Sequence, residues 1–182
     1  MFGLILAILL ALHMQESSST QPSPAETLPP KEPRKTKHVA PEWPANALRA
    51  GLNGPVVLEC VVGTDGRVED VKVLKGYRSL SDAASAAVRK WRYTPTELDG
   101  KAVPVIMTVT VNFRLQKAPK RDDALASLSD SDPEIRWAAV KWLGRYRPVT
   151  AAQKAGLEAA LQDASELVYN AAREALEKLD AK

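Results

Sequence analysis

Hydrophobic and polar residues alternate most regularly from Val103 to Leu115, VPVIMTVTVNFRL. Val103, Val105, Met107, Val109, Val111, Phe113 and Leu115 occupy the odd positions, while Thr108, Thr110, Asn112 and Arg114 make the even positions polar after Pro104 and Ile106. A side-chain period of two predicts one long half-buried β-strand over 103–115. Pro104 has no N–H to give a ladder, which suits a strand start or a sheet edge. An edge strand is either covered or used to recruit another strand.

The same period predicts an antiparallel hairpin upstream. Val56, Leu58, Cys60 and Val62 share one face of a first strand, Asp65-Gly66 supplies the turn, and Val68 to Leu74 returns. Before it, Pro44 opens a short helix over Ala45 to Ala50 that Gly51 ends. After it the period becomes helical. Leu80, Ala84, Ala87, Val88 and Trp91 form one stripe, with Ser79 or Ser81 as cap and Thr94-Pro95 as the stop. Asp99-Gly100 turns the chain into the long strand. The order predicts an α+β domain over 41–115, a small antiparallel three-stranded sheet with one packed helix. Trp91 is expected to plug its core, with Tyr93 and Pro95 fixing the turn. Trp43 is either a core lid or a partner contact.

Beyond a joint at 116–121, residues 122–182 read as all-α. Asp132 caps a helix that has Pro133 in its first turn and a stripe of Ile135, Ala138, Ala139, Trp142, Leu143 and Tyr146. Adding 33 reaches Val168, Ala171, Ala172, Ala175, Leu176 and Leu179, and maps Leu128 and Asp130 onto Leu161 and Asp163. This is a helix-pair repeat of period 33. The segment LSDSDPEIRWAAVKWLG resembles a HEAT-type repeat; the second copy lacks its Pro and Arg. Two repeats fall short of the three or so that stand alone. Their free face must be buried on the first domain, on a second copy in a homodimer, or on a partner. Trp137 lies off the stripe, either as a docking anchor or as an incidental surface aromatic.

At the other end, residues 2–14 form an apolar run broken only by His13. It is short for a membrane span, which needs about 20 residues. Residues 1–14 are therefore read as a signal peptide or an N-terminal membrane anchor. Residues 15–40, rich in Pro and Ser, are read as a disordered linker that holds a folded domain away from a membrane.

Composition removes several functions. The net charge of +3 is spread as excesses of +1, +2 and 0 over 1–40, 41–115 and 116–182, too thin for a nucleic-acid face. Cys60 is the only cysteine and lies in register with apolar neighbours, as a core residue would. His13 and His38 fall in the leader and the linker, so no nucleophile, base and orienter can be assembled, and no ligand spacing suits a metal. The expectation is a non-catalytic protein without a cofactor.

Four segments carry a resemblance. Pro41-Glu42-Trp43-Pro44-Ala45, Gly54-Pro55-Val56, Thr64-Asp65-Gly66-Arg67-Val68 and Lys90-Trp91-Arg92-Tyr93-Thr94-Pro95 are together similar to the TonB C-terminal domain family, in its order and spacing. The resemblance implies an envelope protein facing the periplasm, held by a single-pass inner-membrane tether or exported in soluble form. It implies outer-membrane TonB-dependent transporters as partners, and inner-membrane proton-motor proteins as the source of force. A transporter segment would add as a strand beside the last strand, at Val105, Met107, Val109, Val111 and Phe113, next to the loop Pro41, Glu42, Trp43 and Pro44. The chain departs from that family in three ways: the apolar run is short, with Leu9 rather than Ser four residues before His13; the spacer is short; and 67 residues follow Leu115. Two functions stay open, an energy transducer working by strand addition and a passive envelope scaffold that only binds other proteins.

Overall fold

In the computed structural model, residues 32–181 are described, and the apolar run at 2–14 lies outside them. Strand β2 (Gly54–Val62) forms the middle of an antiparallel sheet ordered β3-β2-β7, with β3 (Val68–Lys75) and β7 (Val105–Phe113) at its sides. The β2–β3 turn depends on Gly66, at φ 76°, where a Cβ would run into the Tyr93 carbonyl. Tyr93 N–H in turn donates to Gly66 O at 2.8 Å, so the hairpin tip is tied to the segment after the helix.

Helix α1 (Ala45–Ala50) starts at Pro44 and ends at Gly51, whose φ of 74° is the left-handed stop a glycine provides. Helix α2 (Arg78–Val88) buries Leu80, Ala84 and Val88 in the same core as Val56, Leu58, Cys60 and Val62. Its serines do not cap it. Ser81 Oγ donates back to Tyr77 O, and the Arg78 N–H at the helix start donates to Glu134 at 2.7 Å, from the C-terminal unit. A carboxylate brought by tertiary contact has taken the place of a local cap.

Two further expectations need correction. The strand over 103–115 is split: β6 (Lys101–Val103) closes a small hairpin with β5 (Thr96–Leu98) around Asp99-Gly100, and β7 begins only after Pro104. Without an N–H, Pro104 breaks the ladder one residue into the run, and β7 starts directly after it, as a strand start at proline predicts. The linker assigned to 15–40 ends early, because β1 (Lys35–Lys37) pairs with β4 (Arg92–Tyr93). Arg34 and Thr94 exchange two bonds of 2.9 and 2.8 Å, and Trp91 Nε1 donates to Val39 O at 2.7 Å. The Lys35 ammonium sits 3.3 Å from the Trp91 ring centroid, a cation–π contact that holds the arm over the tryptophan. Burial there lowers the Lys35 pKa.

The helical unit consists of two helix pairs. Helix α3 (Arg121–Ala126) passes through a 3₁₀ turn at Ser127–Ser129 into α4 (Pro133–Leu143); α5 (Ala151–Ala159) passes through Ala160–Gln162 into α6 (Glu166–Asp180). The two 3₁₀ turns and the starts of α4 and α6 are each offset by the 33 residues read from the sequence. Asp130 Oδ1 accepts from Asp132 N–H at 2.9 Å and Asp163 Oδ1 from Ser165 N–H at 2.8 Å, the same turn made twice. The stripe residues Ile135, Ala138, Ala139 and Leu143 are buried, but Trp142 and Tyr146 are only half-buried. Trp142 leaves the helical core because its indole is committed to α1.

The two units share one core. Ile135, Ala138 and Ala139 of α4 belong to the cluster that holds Leu52, Leu80 and Phe113. Of the three possible covers for the repeats, this chain uses its own sheet domain.

Candidate functional site

The site expected from sequence is the free side of β7. Nine registered pairs join β7 to β2, from Gly54↔Phe113 to Val62↔Val105, and among the described residues no strand pairs with its other side. Its backbone groups on that side form a row of donors and acceptors open to an added strand.

Along β7 the expected alternation holds. Val109, Val111 and Phe113 are buried and Val105 and Met107 half-buried, all facing the core, while Ile106, Thr108, Thr110 and Asn112 are exposed on the opposite face. The five residues expected to meet a partner therefore offer it main chain rather than side chain. The side chains left for selectivity are the even ones, and Ile106 is the most prominent, at 71% exposed. Sequence reasoning passed over it, although an isoleucine among threonines on a polar face was the available signal.

The loop Pro41–Pro44 does lie beside this strand. Trp43 meets Phe113 edge-on, with centroids 5.4 Å apart at 82°. Its indole N–H is shielded from solvent and has no acceptor among the described residues. Pro41 and Pro44 are half-buried and Glu42 is exposed. Trp43 therefore acts as a lid over the sheet end, and it also borders two open grooves.

Trp137 lies at the junction of the two units. Its ring packs on Tyr77 at 5.5 Å and 37°, it is half-buried, and it touches both hydrophobic clusters. It lies off its own stripe because it reaches the neighbouring unit.

The strongest charge pair lies in the helical unit. Arg136 donates to both Asp163 oxygens, at 2.7 and 2.9 Å, and to the carbonyls of Asp130 and Ser131. These bonds hold the Asp163 carboxyl below its ordinary range and raise the Arg136 pKa. Near the sheet, burial, with the Cys60 thiolate as the lesser cause, pushes the Tyr93 hydroxyl up to about 12. Burial also raises the Cys60 thiol, as expected of a core residue. Among the described residues no group of three or more His, Cys, Asp or Glu could hold a metal, and no helix is long and apolar enough to cross a membrane.

The fold is an α+β domain with an antiparallel three-stranded sheet, an unpaired β7 side among the described residues and a tryptophan lid at one end. Residues 39–115 match the family described as Gram-negative bacterial TonB protein C-terminal. That family is non-catalytic. The chain is 38% identical over 77 residues to Protein TonB of Xanthomonas campestris pv. campestris, covering 41% of this chain and 34% of the relative. It is 36% identical over 78 residues to Protein tonB2 of Pseudomonas aeruginosa, covering 42% and 29%. The solution NMR structure of the Pseudomonas aeruginosa TonB CTD is similar at 28% identity with a TM-score of 0.40, over 47% of this chain and 88% of that one. The chain spans about a third of the length of these curated relatives. Residues 116–182 lie beyond the family match.

Proposed function

We propose that the chain is a TonB-like energy transducer that engages outer-membrane TonB-dependent transporters by accepting a strand at the free side of β7. It works in the cell envelope with the domain facing the periplasm. The observation that carries this reading is the unpaired edge of β7 in a domain of that family. Backbone hydrogen bonds along Val105–Phe113 supply affinity, and Ile106, Thr108 and Thr110 meet the side chains of the incoming strand on the outer face.

The helical unit is compatible with this role because it contacts α1 and the start of α2, at Gly51 and Arg78, rather than the open side of β7. We read it as a HEAT-like pair that braces the domain. Force would come from proton-motor proteins gripping the apolar run at 2–14, which lies outside the described residues.

Cysteines placed at Thr108 and Thr110, paired with single cysteines introduced into the transporter segment and treated with an oxidant, test the reading by disulfide trapping in isolated envelopes. Adducts with transporter segments are expected, and amide exchange over Val105–Phe113 slows when the segment binds. If β7 exchanges equally fast with and without the segment, strand addition is wrong. Adducts that form equally with and without a proton gradient favour the passive scaffold.

A further inference from the structure

A second surface lies where the two units meet, past the end of β7. A groove of about 500 Å³ runs between Trp43, α1 and the joint that leads into α3. Trp43, Leu48 and Leu115 give it apolar walls, and Leu48 is 48% exposed although it sits on a helix that packs inward. Four cations surround these walls: Arg49 from α1, Arg114 from the strand end, and Lys117 and Lys120 from the joint. Each is exposed, and none is ion-paired among the described residues. The one acidic side chain in the lining is the half-buried Asp123, so the groove carries an excess of three positive charges.

We propose that this groove binds an acidic peptide segment that carries an apolar side chain. Charge complementarity selects the sign of the occupant, because four unpaired cations around a concave wall attract carboxylates and repel basic segments. The indole and the two leucines select a peptide over a bare anion, since they offer area only to an apolar side chain. The cations come from two stretches of the chain set around a trough, Arg49 on one and Arg114, Lys117 and Lys120 on the other. Lys117 and Lys120 lie beyond the matched 39–115 region, so half of the charge is supplied by this chain's own continuation. The proposal does not require strand addition: β7 ends at Phe113, before the groove begins.

The test uses the full chain and a fluorescein-labelled hexapeptide, Glu-Asp-Phe-Leu-Glu-Asp, followed by anisotropy at about 50 mM and about 300 mM salt. Its twin carries Gln and Asn at the acidic positions. Saturable binding of the acidic peptide is expected, weakening with salt, with the twin at least about tenfold weaker. Lys117→Glu with Lys120→Glu, and separately Arg49→Glu, each weaken the acidic peptide about tenfold or more while leaving thermal unfolding unchanged. Leu48→Ser weakens both peptides. Equal binding of the two peptides, no saturation, or charge variants that bind like the parent would overturn the proposal. So would displacement of the peptide by phosphatidylglycerol vesicles, which would assign the groove to a lipid surface. The hexapeptide does not reach the Thr108 and Thr110 crosslinking positions, so failure here leaves strand addition untouched, and the reverse.

Discussion

Trp142 Nε1 donates to the Gly51 carbonyl at 3.0 Å, and its ring fills the space that a side chain on Gly51 would occupy. One residue ends α1 of the sheet domain; the other belongs to α4 of the helical unit, 91 positions later. Removing the hydrogen bond with Trp142→Phe is expected to cost about 1 kcal/mol. Gly51→Ala should cost more, because it adds a clash with Trp142 and Pro119 to a φ of 74° that alanine disfavours. Urea unfolding followed by circular dichroism measures both. With a common core, each variant should lower a single transition midpoint rather than split it in two.

The Arg136–Asp163 pair predicts a pH effect with a definite sign. Asp163 has a folded pKa below the ordinary 3.8, so the unfolded chain binds the proton first as pH falls. Its contribution is fully present above that ordinary value and is lost as pH drops through the depressed folded one. Asp163→Asn is expected to cost about 2 kcal/mol at neutral pH, the range for a bond between charged groups. The gap between parent and variant should shrink below about pH 4. Arg136, with its pKa raised, stays charged throughout and adds no slope in this range. Denaturant unfolding at several pH values would show a constant gap if the pair were unimportant.

The N-terminal arm gives a third expectation. Thr94 N–H donates to Arg34 O at 2.8 Å, and Lys35 covers Trp91. Deleting residues 32–38 should raise amide exchange at Thr94 and lower the unfolding temperature by a few degrees, as loss of about 1 kcal/mol does in a domain of this size. Exchange at Leu58 and Cys60, deep in the β2 ladder, should change far less. Unchanged protection at Thr94 would mean that β1 contributes nothing to the fold.

The same residues show how much could be read from sequence. The inward face of β7, the Asp65-Gly66 turn and the period-33 repeat were legible because local chemistry decides them: side-chain alternation, a glycine-only φ and a repeated stripe. Asp132 caps α4 as read from sequence, but the cap of α2 and the aromatic anchors were not legible. Ser79 and Ser81 satisfy the local rule, yet Glu134 from 56 residues away takes the Arg78 N–H. Trp142 satisfies the stripe, yet its N–H is drawn out to Gly51. The arm escaped notice because Lys-Thr-Lys has no apolar period at all, and becomes a strand only through Arg92–Tyr93. Of the candidate site, the strand was legible and its outward residues were not. The basic groove needed two distant stretches, 43–49 and 114–123, brought together in space.

The last expectation concerns the outer face of α6. Val140 and Arg173 are equivalent positions, 33 apart, on α4 and α6. Val140 is fully buried at 0% exposure in the cluster that α6 shares, whereas Arg173 is exposed and paired with Glu177 at 3.5 Å. Arg136, which grips Asp163 across the repeat boundary, is matched by Tyr169, which is 40% exposed. The outer face of α6 is therefore polar where that of α4 is apolar, and a polar face does not recruit another helical unit. Arg173→Val would restore the apolar character of the Val140 position next to Tyr169 and Leu176. The ion pair it removes is surface-exposed and worth little, so the unfolding midpoint should hardly move. Sedimentation velocity should instead show association that grows with concentration. If the variant stays monomeric wherever the parent does, the polarity of the outer face of α6 is not what prevents association.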